Sequence, residues 1–341
     1  MTTTFTIPPD AEATAPPERH GMARDEVRLM AVRPGRLTTA RFRDLPGLLD
    51  PGDLVVVNTS ATLPARVPAR RADGVAVPLH VSTALDDGTW VVEVRRPDNG
   101  GPDLGAEPGT VLTLPGEVRL TLLTGFPDGR RSRLWRARPD PAVPTTAYLP
   151  RHGQPIRYGY LHGSVPLADY QNVYATEPGS AEMASAGRPF TDRVLVRLIA
   201  RGIPVVPVTL HTGVSSPEAH EPPYPERFAV PEVTARLVTS TRQAGRRIIA
   251  VGTTVTRALE TATGDDGVTR AAGGWTDVVL GPDRPARAVT GLITGLHAPE
   301  ASHLLLLEAV AGPELVEAAY RRAVEEHYLW HEFGDSMLFL P

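Results

Sequence analysis

The chain of 341 residues contains no cysteine and no lysine. Without thiols there is no disulfide, no thiolate metal site and no cysteine nucleophile, and the redox compartment is left open. Without lysine a Schiff-base lysine is excluded. Every basic residue apart from histidine is arginine, and the Arg, Ala and Pro bias reads as genomic base composition rather than as function. No apolar run approaches the ~20 residues that cross a bilayer. Residues 1–9 lack both the basic region and the apolar core of a signal peptide. A cytoplasmic protein with no membrane partner is the expectation. The net charge of −4 gives no global attraction to nucleic acid, so any RNA contact must rest on a local patch. The length suffices for two domains with sizeable cores.

What is present is organised around residues 246–260. Ile248 to Val251 is a short β-branched run of the kind buried on both faces of a sheet. Gly252 permits a tight turn, and Thr253 or Thr254 can cap the helix that follows. A helix N-terminus at a strand's carboxyl end offers free N–H groups to a carboxylate or phosphate. Two other strands end in similar polar sequence, His211-Thr212-Gly213 and Thr294-Gly295-Leu296-His297. Ligands of α/β sheets collect beyond such ends.

The remaining texture divides the chain. Residues 1–17 read as an extended arm. Residues 75–81, 89–95, 110–114, 117–123 and 132–138 are short alternating runs separated by Asp-Gly and Pro-Gly turns, which predicts a small all-β module. From about residue 147 strands alternate with helices at 191–201, 231–244, 301–311 and 313–328, around a proline-broken loop at 218–227. The expected fold is α/β, a mainly parallel sheet with flanking helices plus an inserted small antiparallel β-barrel. The boundaries are 1–62 with 148–341 for the α/β domain and 63–147 for the barrel. In the last β run Arg130, Arg131, Arg133 and Arg136 crowd around Trp135. They read either as a solvated strand face or as a phosphate-contacting patch with a stacking aromatic.

Several motifs occur in colinear order: Pro51-Gly52-Asp53-Leu54, Asn58, Pro64-Ala65-Arg66, Tyr170-Gln171, Ala186-Gly187 with Phe190-Thr191, Thr209-Leu210-His211, Val251-Gly252-Thr253-Thr254 with Arg257 and Leu259-Glu260, Gly274-Trp275-Thr276-Asp277, and Phe333-Gly334-Asp335-Ser336-Met337. Together they resemble the S-adenosylmethionine:tRNA ribosyltransferase-isomerase family of the queuosine pathway. The resemblance implies an α/β domain with an inserted β-barrel. It also implies transfer and isomerisation of the ribosyl part of S-adenosylmethionine onto a 7-deazaguanine base in tRNA, forming epoxyqueuosine and releasing adenine and methionine. S-adenosylmethionine is then a co-substrate, tRNA the partner, and no metal is needed; a monomer or weak oligomer is expected. The chain departs from the family at Thr59-Ser60-Ala61, at Pro189 and at residues 221–226, where family histidines and an Asp-Thr-Arg run are replaced. Two further readings therefore stand beside the first: a small-molecule acceptor or cleavage without tRNA, and a non-catalytic binding protein on the same scaffold.

The reaction implied needs a base beside the sulfonium, an acid for departing adenine, and a grip on the methionine carboxylate and ammonium. His211 and His297 are the acid–base candidates, with Glu182 and Glu226 as carboxylates. Each histidine can equally be a hydrogen-bonded structural residue. Gly252, Thr253 and Thr254 are the candidate anion cradle, beside Arg257. Trp275 is placed to stack on adenine or to fill core, and Asp277 and Asp335 to bind hydroxyls or ammonium or to cap turns. Arg66 and Arg188 can hold a carboxylate or phosphate. His327 and His331 lie among Glu325, Glu326 and Glu332, but the spacing places no third ligand for a metal.

Overall fold

The computed structural model describes residues 3–130, 132–214, 223–281, 283–299 and 303–341. Its strands are β1 (Arg28–Arg33), β2 (Arg36–Arg41), β3 (Leu54–Asn58), β4 (Ser60–Thr62), β5 (Arg66–Arg70), β6 (Ala76–Ala84), β7 (Trp90–Val94), β8 (Val111–Leu114), β9 (Val118–Gly125), β10 (Leu134–Asp140), β11 (Glu177–Ser180), β12 (Val205–Leu210), β13 (Glu226–Val230), β14 (Ile248–Val251), β15 (Ala272–Thr276), β16 (Gly291–Gly295) and β17 (Ser336–Phe339). The helices are α1 (Leu45–Leu48), α2 (Thr145–His152), α3 (Asp192–Ala200), α4 (Glu232–Gln243), α5 (Thr253–Ala262), α6 (His303–Ala311) and α7 (Pro313–Glu325).

Nine strands form one sheet in the order β15-β13-β12-β3-β14-β16-β17-β1-β2. The middle is parallel, β12 to β3 to β14 to β16. The flanks are not: β13 runs antiparallel to β12, and β17 antiparallel to β16. The sheet is therefore mixed rather than mainly parallel, which corrects the expectation. Alternating β runs betray a strand but not its direction, which long-range pairing decides.

The central strands are buried on both faces, as their unbroken β-branched runs require. Leu54 and Val56 of β3, with Ile248 and Ala250 of β14, pack into the core under α4 to α7. Val55, Val57, Ile249 and Val251 point the other way, into a core with Phe42, Phe190, Val194 and Leu198. That period of two follows from the strand geometry. Helix α3 begins where expected, with Thr191 Oγ1 accepting from Val194 N at 3.3 Å.

Between residues 66 and 140, six strands pair antiparallel in the order β10-β7-β6-β5-β8-β9, and β9 pairs back to β10. Their inward side chains, among them Val67, Leu79, Val92, Leu120 and Trp135, form a separate core. Strand β5 was not legible in advance, since Pro68 interrupts its pattern. The N-terminal arm is extended but pinned: Phe5 packs on Tyr320 and Trp330 with ring centroids 4.8 and 5.1 Å apart. Among the described residues no helix is long and apolar enough to cross a membrane.

Candidate functional site

The carboxyl ends of β12, β3, β14 and β16 lie along one edge of the sheet, because the four strands are parallel. The antiparallel neighbours then deliver their N-terminal residues to the same edge. Leu210 of β12 pairs with Phe228 of β13, which brings Glu226 beside the end of β12. Gly295 of β16 pairs with Ser336 of β17, which brings residues 331–335 beside the end of β16. The mixed character of the sheet is thus what supplies acids to the site.

Among the described residues two larger cavities open at this edge, with a smaller one of about 10 Å³ beside the second. The first, of about 120 Å³, lies between the six-stranded sheet and α5, and its lining includes Phe126, Tyr224, Glu226, Arg257, Val278 and Leu306. The second, of about 150 Å³, is more polar and is lined by Glu182, His331 and Glu332 with residues 294–298, His297 among them. Thr212, Thr253, Thr254 and His303 line both. The two chambers therefore meet at the start of α5.

That start is built by Gly252. Its φ of +92° is one that L side chains rarely adopt, and a Cβ there would sit 3.3 Å from Ala186 Cβ. Gly252 itself occupies the N-cap position and no side chain caps the helix, so neither threonine is the cap. The first-turn amides have no intrahelical acceptor and belong to residues that line the chambers. Asn58 holds the neighbouring strand end. Its Oδ1 accepts from Leu210 N (3.0 Å) and Ser60 N (3.1 Å), while its Nδ2 donates to Leu210 O (2.8 Å) and Thr254 Oγ1 (3.3 Å).

The titratable groups are displaced from their ordinary values mainly by burial. His297 falls well below the usual histidine range through burial and the neighbouring His303 and His331. It shares a 2.9 Å hydrogen bond with Thr294 and stacks on His303 with centroids 4.6 Å apart. His303 is pushed down to about 4 by burial and Arg257. Both are neutral near pH 7, and burial makes each a weaker proton acceptor than a free histidine. Glu226 is raised by burial, although Arg257 pairs with it and Gly213 N donates to it at 3.0 Å. Glu332 is raised to about 7 by burial, and its Oε2 has no hydrogen-bond partner.

Of the residues singled out from sequence, the structure brings Glu182, Glu226, His297, Gly252, Thr253, Thr254 and Arg257 to the two chambers. The others go elsewhere. The His211 ring turns away from both linings onto Ser60, with Nδ1 2.7 Å from its Oγ, and onto Gly179, where a Cβ would come within 2.4 Å of it. Trp275 lies on the β13 side, donating to Asp86 at 3.0 Å under the Arg227 guanidinium. Asp277 is exposed. Arg66 pairs with Gln154 beside a groove on the six-stranded sheet. Arg188 is buried against Glu18 at 2.9 Å, and Asp335 is held by Arg28 and Leu329 N. Both are structural ties.

The arginine patch is likewise taken apart. Trp135 is buried among the inward side chains and cannot stack on a base. Arg133 is buried in an ion pair with Glu93, and Arg136 pairs with Asp87. Arg130 is exposed beside Asp128, and Arg131 lies outside the described residues. The period of two along β10 puts alternate members inside, which crowding in sequence conceals. Reasoning from sequence missed His303, His331 and Glu332. His331 and Glu332 were set aside as metal ligands, and the available signal was their position just before β17.

A mixed α/β sheet with a two-chambered cleft at its parallel strand ends, beside a helix N-terminus and among neutral histidines and carboxyls, frames the candidate site. The chain belongs to the family of queuosine biosynthesis proteins, whose model matches residues 2–339. It is 37% identical over 351 residues to a protein of Heliobacterium modesticaldum named S-adenosylmethionine:tRNA ribosyltransferase-isomerase, covering 98% of each chain. A Thermus thermophilus protein of the same name is 37% identical over 336 residues, covering 93% of each. The crystal structure of S-adenosylmethionine tRNA ribosyltransferase from Thermotoga maritima is similar over 100% of both chains, with 28% identity and a TM-score of 0.54.

Proposed function

We propose that this chain is an S-adenosylmethionine-dependent ribosyltransferase-isomerase acting on a 7-deazaguanine base in tRNA, with release of adenine and methionine. The observation that carries the reading is the meeting of an apolar-walled and a polar chamber at one helix N-terminus, in a chain whose full-length relatives bear that name. S-adenosylmethionine has the same two-part character, an adenosine and a charged amino acid joined at a sulfonium. The first chamber, with Phe126, Tyr224 and Leu306, suits the adenine ring. The second suits the amino acid, with its carboxylate on the first-turn amides of α5.

In this reading the sulfonium lies at the junction, near Thr212, Thr253, Thr254 and His303. A neutral His303 or His297 there can take the proton from the carbon next to sulfur, which the positive charge acidifies. Glu226, whose carboxyl is raised by burial, is the candidate acid for departing adenine. We read residues 63–147 as an inserted β-barrel domain and residues 1–62 with 148–341 as the catalytic α/β domain. The support is that β5 to β10 fall within one continuous stretch.

The test follows free adenine from S-adenosylmethionine with and without tRNA carrying the 7-aminomethyl-7-deazaguanine base. Release that depends on tRNA is expected. Release without tRNA would indicate a different acceptor, and binding without release a non-catalytic role. Absence of both would remove S-adenosylmethionine from the account.

A further inference from the structure

The second chamber carries a carboxyl that the proposed chemistry does not use. Glu332 lies three residues before Asp335, on the segment that antiparallel β17 brings to the end of β16. It lines the chamber, and its Oε2 is buried without a partner. Such an atom costs free energy unless something meets it. The nearby cations are committed elsewhere. Arg188 and Arg24 both pair with Glu18, and Arg28 pairs with Asp335. Among the described residues no arginine belongs to the chamber's lining, although Arg24 and Arg188 line a smaller neighbouring cavity with Glu332, and the chamber's histidines, His297, His303 and His331, are all held below their usual range by burial. The lining also holds the carboxyls of Glu182 and Glu332, and of these Glu332 has the unmet oxygen. The same lining holds Thr253 and Thr254 at the start of the ten-residue helix α5, whose first-turn amides have no intrahelical acceptor, while Gly252 N is taken by Ile293 O at 2.8 Å.

A chamber with an anion receptor and a carboxyl that lacks its cation is complementary to an α-amino acid zwitterion. We propose that Glu332 is the cation receptor of this chamber, holding the α-ammonium of the amino-acid group whose carboxylate sits on the α5 amides; this rests on the S-adenosylmethionine reading above. Glu332 is on this view a substrate-binding residue that sets specificity for the amino-acid part. It forms a charge-assisted hydrogen bond and takes no part in bond breaking.

The test compares S-adenosylmethionine with 5′-methylthioadenosine, which keeps the nucleoside and sulfur but lacks the amino-acid portion. Binding of both is measured by calorimetry to wild type and Glu332→Gln at about pH 8, with circular dichroism confirming the fold. Glu332→Gln is expected to lose about 10- to 100-fold in affinity for S-adenosylmethionine and to bind methylthioadenosine within about twofold of wild type. Equal weakening of both, or no weakening of either, would overturn the inference while leaving the proposed function standing. A second measurement needs no variant. Wild type should prefer L-methionine to 4-(methylthio)butanoate, its analogue without the amine, and equal affinities would overturn the inference. If wild type binds no S-adenosylmethionine, the proposed function fails instead, and the methionine pair still decides whether the chamber reads an ammonium.

Discussion

Glu93 and Glu332 are both carboxyls drawn out of water, and the fold treats them in opposite ways. Glu93, on β7 of the six-stranded sheet, is 1% exposed and meets both Arg95 and Arg133, while Arg133 also donates to Val214 O at 3.1 Å. Glu332 is half-buried at the edge of the cleft, with its Oε2 out of water and unmet. A buried charge with every valence answered fixes a structure, whereas removing one of its partners leaves a costly orphan. A buried carboxyl left unanswered takes up a proton or waits for a cation, and such groups gather at functional sites. His80 refines the comparison. Both its ring nitrogens lack partners beside Glu93, and burial with the nearby Arg95 pushes it down to about 3. It lines neither chamber, so being unpartnered marks a site only where a ligand can reach.

The widest separation between the two regions should appear in stability. Arg133→Met leaves Glu93 with half of its compensation, and a loss of about 3 kcal/mol is expected in urea unfolding. Glu332→Gln should be neutral or slightly stabilising in the same assay near pH 8. A loss below about 1 kcal/mol for Arg133→Met would break the contrast, as would a large loss for Glu332→Gln.

The pH dependence sharpens it. Glu332 has a folded value of about 7 against an ordinary 4.5. Between those values the folded state keeps a proton that the unfolded chain has lost, so stability falls as pH rises through the window and levels off above it. His303 works in the opposite sense. With a folded value of about 4 against 6.5, its stability is fully present above 6.5 and is lost as pH falls toward 4. The two slopes oppose each other, but His80 and His297, also held low, act in the sense of His303, so wild type should lose stability as pH falls below about 6.5. Glu332→Gln should steepen the acid loss, and His303→Asn should reduce or reverse it, which unfolding at a series of pH values measures. Profiles unchanged by either variant would contradict the assigned environments.

The smallest effect concerns the cradle. Thr253→Pro removes one first-turn amide, and proline is tolerated at the first position of a helix. Helicity should be preserved while S-adenosylmethionine affinity falls about tenfold, or roughly 1.4 kcal/mol. Unchanged affinity in a folded variant would mean that the amides do not face the ligand.

How much of this was legible in the sequence depended on which way side chains point. The runs at Leu54–Asn58 and Ile248–Val251 were readable because strands buried on both faces carry unbroken β-branched residues. The Gly252 turn was readable for its glycine. Strand β13 was hidden behind the proline-rich loop before Glu226, and the antiparallel sense of β13 and β17 has no local signature. That sense decides the site, since it delivers Glu226 and Glu332. His211 and Trp275 occupy the expected stretches, but their rings turn to Ser60 and Asp86, and sequence position does not fix rotamers. The family resemblance located the fold and the substrate class, whereas Glu332 emerged only with the register of β16 against β17, and His303 only with the placement of α6.

A crystal structure with a non-cleavable S-adenosylmethionine analogue is the most direct measurement. The account predicts an analogue spanning both chambers, its carboxylate on the amides of Thr253 and Thr254, its ammonium on Glu332, and its adenine toward Phe126 and Tyr224. An analogue bound at Trp275 and Asp277, or in the groove beside Arg66, would contradict it.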